Sequence, residues 1–312
     1  MTPIARGIIK SGTRGSRMIF RTVSLEPGLY LVATPIGNAR DITLRALDTL
    51  ASADSILAED TRTARKLMEI HGVELRGRPL RAYHDHSGPA DRARIMAALE
   101  AGQSVAYVSE AGTPLVADPG FKLVVDAVEA GHPVHPVPGA SAVLAALSVG
   151  GLGTDRFHFT GFLPTARTAR RTALQEMAGI DGTLVMFESG RRIRELLDDL
   201  CEMFGAGRQA ALCRELTKTF EQVERGTLGV LRDRGDDLET RGEFVVLVGR
   251  ADGTTQKEED IDMALRQALR TMRVKDAATT VAGAMGLNRR EVYQRALALG
   301  RMDDPVKDGG DI

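Results

Sequence analysis

Residues 104–120 read SVAYVSEAGTPLVADPG. Ser104 to Val108 is a short apolar run of alternating β-branched and small residues, the composition of a strand buried on both faces. Glu110 to Gly120 carries two Gly, two Pro and two carboxylates, so it neither continues the strand nor starts a helix before about Phe121. A buried strand running into such a loop and then a helix is where an open α/β sheet holds its ligand. Ala111-Gly112-Thr113 leaves main-chain groups approachable, and Pro114 and Pro119 stiffen the loop on either side.

The same rhythm extends in both directions. Strands are expected at Leu29–Thr34, Ser55–Ala58, Leu80–Tyr83, Ser104–Val108 and Pro133–Val137, with helices between them. Asp41 is expected to cap a helix with apolar face Leu44, Leu47 and Leu50, and Asp60 to cap the next. Five alternations of strand and helix predict a mostly parallel, covered sheet over residues 27–150. Beyond Gly151 the strands Phe157–Phe162, Thr183–Phe187, Gln209–Arg214, Gln222–Gly226 and Phe244–Val248, with helices near Ala169–Met177 and Ile193–Met203, predict a second α/β domain over 151–250 with a mixed sheet. Residues 251–258 read as a linker and 259–304 as an all-helical domain. Residues 1–26, with Arg6, Lys10, Arg14, Arg17 and Arg21 and no acid before Glu26, read as a disordered basic arm.

Composition narrows the function. Net charge is −1, so nucleic-acid contact has to come from local patches. No run approaches the ~20 apolar residues of a membrane span. Cys201 and Cys213 have no metal-ligand spacing and suit a reduced, cytoplasmic protein; no metal is expected. In the helical tail, Ala282, Gly286 and Val292 have the spacing of a helix-turn-helix. Eight basic residues stand there against two acids between Met263 and Arg301, which points to nucleic acid.

Five motifs terminate the first-domain strands: TPIGN, AEDTR, YHDH, SEAGTP and PGAS. None is a dinucleotide fingerprint or a P-loop. They offer scattered amides, carbonyls and apolar walls instead. With DRFHFTGFLP, FESGRRI and RELTKTFE, they resemble the tetrapyrrole methylase superfamily and, within it, the ribosomal RNA small-subunit methyltransferase I family.

That resemblance implies a two-domain α/β architecture with a small helix-turn-helix-like tail. It implies S-adenosylmethionine as cofactor in an interdomain cleft of a homodimer. It also implies 2′-O-methylation of a cytidine in the decoding region of 16S rRNA. The cofactor is then expected at Pro35, Ile36, Gly37, Ser109, Glu110, Ala111, Gly112, Thr113, Ala140 and Ser141, with Ser109–Thr113 acting mainly through the main chain. RNA phosphates are expected at Arg62, Arg191, Arg192, Arg214, Lys218, Arg289 and Arg290. His84, Asp85 and Glu59 are the candidate proton acceptors, and Glu59 is also a candidate to orient Arg62. Two departures stand out: Glu110 where the family more often has Asp, and FESGRR where it more often has FESPHR, so no base is assigned in the latter loop. Two other classes fit parts of the chain. A tetrapyrrole methyltransferase has no use for the basic tail, and a ligand-sensing nucleic-acid-binding regulator leaves the strand-end motifs idle.

Overall fold

The computed structural model describes residues 20–84, 87–251 and 253–302. Its first sheet is built from β1 (Gly28–Val32), β2 (Ser55–Ala58), β3 (Leu80–Ala82), β4 (Ser104–Val108) and β5 (Val134–Val137). All pairings are parallel, in the order β3-β2-β4-β1-β5. The organising strand β4 is buried along its whole length and central in the sheet. Its alternation feeds two cores. Ala106 and Val108 pack with Leu47, Leu50 and Met68 of α1 (Leu44–Ser52) and α2 (Thr61–Ile70). Val105 and Tyr107 pack with Ile95, Leu99 and Leu123 of α3 (Pro89–Glu100) and α4 (Phe121–Glu129).

The second sheet has the order β6-β7-β10-β8-β9 and is mixed, as its composition predicts. Its strands are β6 (Phe157–Phe162), β7 (Thr183–Ser189), β8 (Gln209–Arg214), β9 (Gln222–Thr227) and β10 (Glu243–Val248). Only β6 and β7 run parallel. One face is covered by α6 (Arg167–Met177), α7 (Ile193–Phe204) and the short α8 (Leu228–Arg232), which sequence reading misses. The other face is covered by α5 (Ala142–Gly150). Its Val143, Ala146 and Leu147 join Val185, Ala211, Val245 and Leu247, so the last helix of the first segment packs against the second sheet.

The tail is three helices, α9 (Gly253–Leu269), α10 (Val274–Met285) and α11 (Arg289–Met302), around a core of their own. Gly286 adopts a left-handed φ of 64° at the end of α10, and Ala282 and Val292 are buried on either side of the turn.

Four expectations are corrected. Thr43, not Asp41, caps α1, its hydroxyl accepting from the Ala46 N–H at 3.1 Å, because a short 3-10 turn already occupies Ala39–Asp41. Leu44 is therefore 60% exposed while Leu47 and Leu50 are buried. Residues 20–26 are docked: Phe20 enters the first core, and the N–H groups of Arg21 and Val23 donate to Asp48 and Ser52 of α1. Residues 253–258 are already helical.

Candidate active site

A cleft of about 740 Å³ opens where the carboxyl ends of β1, β2 and β4 face the second sheet. The loops after β1 and β4 are tied together above it. Thr34 and Gly112 exchange two main-chain hydrogen bonds, N–H to carbonyl, of 2.8 and 3.0 Å. Gly112 has φ +80°, which no side chain adopts without strain, and an added Cβ would sit 3.3 Å from Ile36. Ser109 is buried behind the loop, its hydroxyl donating to the Gly112 carbonyl at 2.9 Å. Thr113 donates to the Ala140 carbonyl at 3.1 Å.

The far wall comes from the loop after β8. Gly37 approaches it so closely that a Cβ would lie 2.7 Å from Thr217 Oγ1, and the Asn38 N–H donates to that hydroxyl at 3.1 Å. Leu115, Ala117, Glu215 and Thr217 all have positive φ, so both cleft loops hold strained backbone. Lys218 bridges Glu215 at 2.9 Å and Glu243 at 2.7 Å. Burial raises the Glu215 pKa, but the Lys218 hydrogen bond and the Glu243 N–H outweigh it, and Glu215 titrates below the usual carboxylate value. At the end of β7, Glu188 is buried, with Oε1 accepting from Ser189 and Oε2 paired with Arg192 at 3.2 Å.

The chain matches the family of Tetrapyrrole (Corrin/Porphyrin) Methylases over residues 28–232 and the RsmI C-terminal HTH domain over residues 255–300. It is 47% identical over 276 residues to the ribosomal RNA small subunit methyltransferase I of Mesorhizobium japonicum, covering 88% of this chain and 93% of that one. The chain belongs to the ribosomal RNA small subunit methyltransferase I family. Two solved structures share its fold. A cobalt precorrin-4 methyltransferase, 17% identical, aligns with a TM-score of 0.55 over 76% of this chain and 97% of that one. A uroporphyrin-III C-methyltransferase from Thermus thermophilus, solved with S-adenosylhomocysteine, is 18% identical and aligns with a TM-score of 0.50 over 71% and 97%.

The expectations for this family member meet the geometry unevenly. Pro35, Ile36, Gly37, Glu110, Ala111, Gly112, Thr113 and Ser141 line the cleft; Ser109 and Ala140 sit behind it as supports. The main chain of the 109–113 loop is partly engaged within the protein. The Gly112 N–H and carbonyl are taken up by Thr34, and the Glu110 N–H donates to Glu59 Oε2 at 3.4 Å, which leaves exposed Ala111 as the approachable peptide.

Of the candidate proton acceptors, Glu59 lines the cleft. His84 follows the edge strand β3 and is not among the lining residues, and Asp85 lies outside the described residues. Arg62 pairs with Asp60 at 2.8 Å, not with Glu59, and holds the Asp60 pKa down to about 2. Among the expected RNA contacts, Arg62, Arg191, Arg289 and Arg290 are exposed. Arg214 is not: it is buried, donating to the carbonyls of Arg241 and Phe220 and to Gln222. Arg192 donates to the carbonyls of Leu163 and Pro164 and, like Lys218, is already neutralised by carboxylates, so all three brace the second domain.

Sequence reading missed Asp118, in the ADPG end of the organising loop. It lines the cleft, and its Oδ2 is buried with no hydrogen-bond partner. Burial, with Glu59 and Glu110 nearby, pushes its pKa up to about 7 against the Ser109 hydroxyl, which acts the other way. The sequence signal was a carboxylate directly before Pro119 and Gly120, two residues that break regular elements.

Proposed function

We propose that the protein transfers a methyl group from S-adenosylmethionine to the 2′-hydroxyl of a cytidine in the decoding region of 16S rRNA. Methyltransferases of this family use S-adenosylmethionine. The cleft fits that molecule in volume and chemistry. Ile36, Ala142, Val143 and Leu216 form apolar walls suited to an adenosine, and the Ala111 peptide is approachable. Carboxylates of Glu59 and Glu110 suit a cationic sulfonium and ammonium. When bound, the cofactor supplies an activated methyl on a sulfonium whose departure leaves a neutral thioether. The loops contribute positioning: two strained segments, braced by the Thr34–Gly112 exchange and the Asn38–Thr217 hydrogen bond, fix the walls between which donor and acceptor are to be aligned.

The observation that carries the reading is the presence, in one chain of this family, of that cleft and a basic helix-turn-helix. RNA is the acceptor that uses both. The M. japonicum relative's name supports small-subunit rRNA; the ribose of a cytidine is what the family resemblance implies. The resemblance adds a homodimer and a cytoplasmic setting. Among the described residues no helix is long and apolar enough to cross a membrane.

The test incubates the protein and labelled cofactor with small subunits, naked rRNA and a uroporphyrinogen, then digests the RNA to nucleosides. Label in 2′-O-methylcytidine is expected. Label confined to the uroporphyrinogen, or to a methylated base, refutes the assignment. Sedimentation with and without RNA reads the oligomeric state, with a dimer expected.

A further inference from the structure

Resting on the methyl-transfer reading, we propose that Asp118 is the proton acceptor of the reaction. The cleft holds several carboxylates, and all but one are engaged or open to water. Glu215 and Glu243 share the Lys218 ammonium, and the Glu243 side chain is exposed. Glu188 is held by Ser189 and Arg192. Glu59 receives the Glu110 N–H, and Glu110 is itself exposed. Asp118 and Glu188 both line the cleft with a buried oxygen that has no hydrogen-bond partner, but the Glu188 oxygen faces the Arg192 guanidinium at 3.2 Å, whereas no cation is paired with Asp118 among the described residues.

The fold fixes it there from both sides. Leu115 and Ala117 both adopt left-handed φ, of 71° and 62°, to turn the loop back on itself. The Tyr107 hydroxyl of β4 then donates to the Pro119 carbonyl at 2.8 Å, pinning the residue after Asp118 to the central strand. Gly120 can sit under that ring only because it lacks a side chain, since a Cβ would lie 2.7 Å from Tyr107. On the second-domain side, Ala117 lies 3.9 Å from where a Gly161 Cβ would be, so the segment abuts β6 at its register shift.

The charged groups around Asp118 bias it toward accepting a proton near neutrality. Glu59 at the end of β2 and Glu110 in its own loop disfavour a further negative charge, as does burial; the Ser109 hydroxyl opposes them. Lys66 of α2 lines the same cleft, and β6 contributes Phe162 and no charge. A carboxyl titrating near pH 7 is matched to removing a hydroxyl proton at that pH. In the step, the hydroxyl oxygen forms its bond to the methyl carbon as the carbon–sulfur bond breaks, the sulfur keeps that electron pair, and the hydroxyl proton passes to the Asp118 carboxylate and then to water.

Single-turnover methylation of small subunits, at saturating cofactor and across pH, tests this in the full chain. Wild type should show an acidic limb with a midpoint near 7. Asp118→Asn should lose that limb and at least a hundredfold in rate, with cofactor KM within about threefold. Asp118→Glu should regain part of both. An Asn variant within threefold of wild-type rate, or one that keeps the limb and loses only cofactor affinity, overturns the proposal; the latter would make Asp118 a holder of the cofactor's positive charge. Should the variant not fold, a wild-type profile without an acidic limb overturns it equally. Product analysis on wild type separates the two levels. Methyl found on a base refutes the acceptor assigned above, whereas 2′-O-methyl made equally well without Asp118 refutes only this inference.

Discussion

Gly112 illustrates how one residue couples the cleft loops. Its left-handed φ and its double hydrogen bond to Thr34 both depend on the missing side chain. Gly112→Val adds backbone strain of about 1–3 kcal/mol and a branched carbon against Ile36. Calorimetry should show cofactor affinity reduced at least tenfold, about 1.4 kcal/mol, in a chain that still folds. Unchanged affinity would move the cofactor away from this loop. Asp118 makes a prediction about stability as well as rate. Its folded pKa of about 7 lies above the 3.8 of an ordinary aspartate, so wild type loses stability as pH rises from about 4 to 7. Without cofactor, Asp118→Asn should melt higher than wild type at pH 8, and the gap should close as pH falls toward 4. A gap that is constant with pH would mean the carboxyl is not desolvated. Asp199 titrates the other way. Burial raises its pKa, but hydrogen bonds from Arg167 and Arg170 outweigh this and hold it below the usual value. Its contribution is present at neutral pH and is lost as pH falls below about 4 through the folded pKa. Arg170 is 1% exposed and Asp199 0%, so Asp199→Ala would leave a buried guanidinium without its main partner. Denaturant unfolding should show a loss of about 3–5 kcal/mol, with the difference from wild type shrinking in acid. Of these three environments only that of Gly112 was legible in the sequence, through the composition of the Ala-Gly-Thr run. Asp118 and Asp199 are ordinary carboxylates until loop strain and helix packing bury them.

At the scale of elements the sequence was more informative, because apolar runs and caps are local. The bounds of β2, β4, β6 and β8 are those their residues predict, and Asp60 does cap α2, accepting from the Arg62 N–H at 2.7 Å. The order β3-β2-β4-β1-β5 was not legible, since crossover choice depends on pairings dozens of residues apart. That order decides the site. It sets β4 beside β1 and β2, so their three loops meet, and leaves β3 at the edge, where His84 follows it without lining the cleft. The tail turn was legible from Ala282, Gly286 and Val292 alone, because a left-handed cap and two buried neighbours are a local signature. Gly286→Val should therefore strain that corner by about 1–3 kcal/mol. Hydrogen exchange should rise across α10 and α11 while β4 keeps its protection. Equal loosening of both regions would mean that the tail and the body unfold as one unit.

Across the whole molecule, the division of labour is between a cleft that two sheets build and a tail with its own core. Among the described residues none of α9, α10 or α11 lines the cleft, and the apolar cluster of the tail is formed by tail residues. The charge of the tail is also more specific than its sequence suggests. Arg295 is paired with Asp262, whereas Arg266, Arg270, Arg273, Lys275, Arg289 and Arg290 are exposed. A chain ending at Ala251 should then fold, and bind S-adenosylmethionine within about twofold of wild type by calorimetry, a difference below RT. Its affinity for small subunits should fall at least tenfold in moderate salt. The slope of log affinity against log salt should shrink by roughly 0.7–0.9 for every phosphate the protein no longer neutralises. That slope is the decisive readout, because a tail acting only through shape would lower affinity at every salt concentration equally. If truncation instead abolished cofactor binding and left affinity and slope unchanged, the tail would be a brace for the cleft, and the RNA path would have to run over Arg62 and Arg191 at the strand ends.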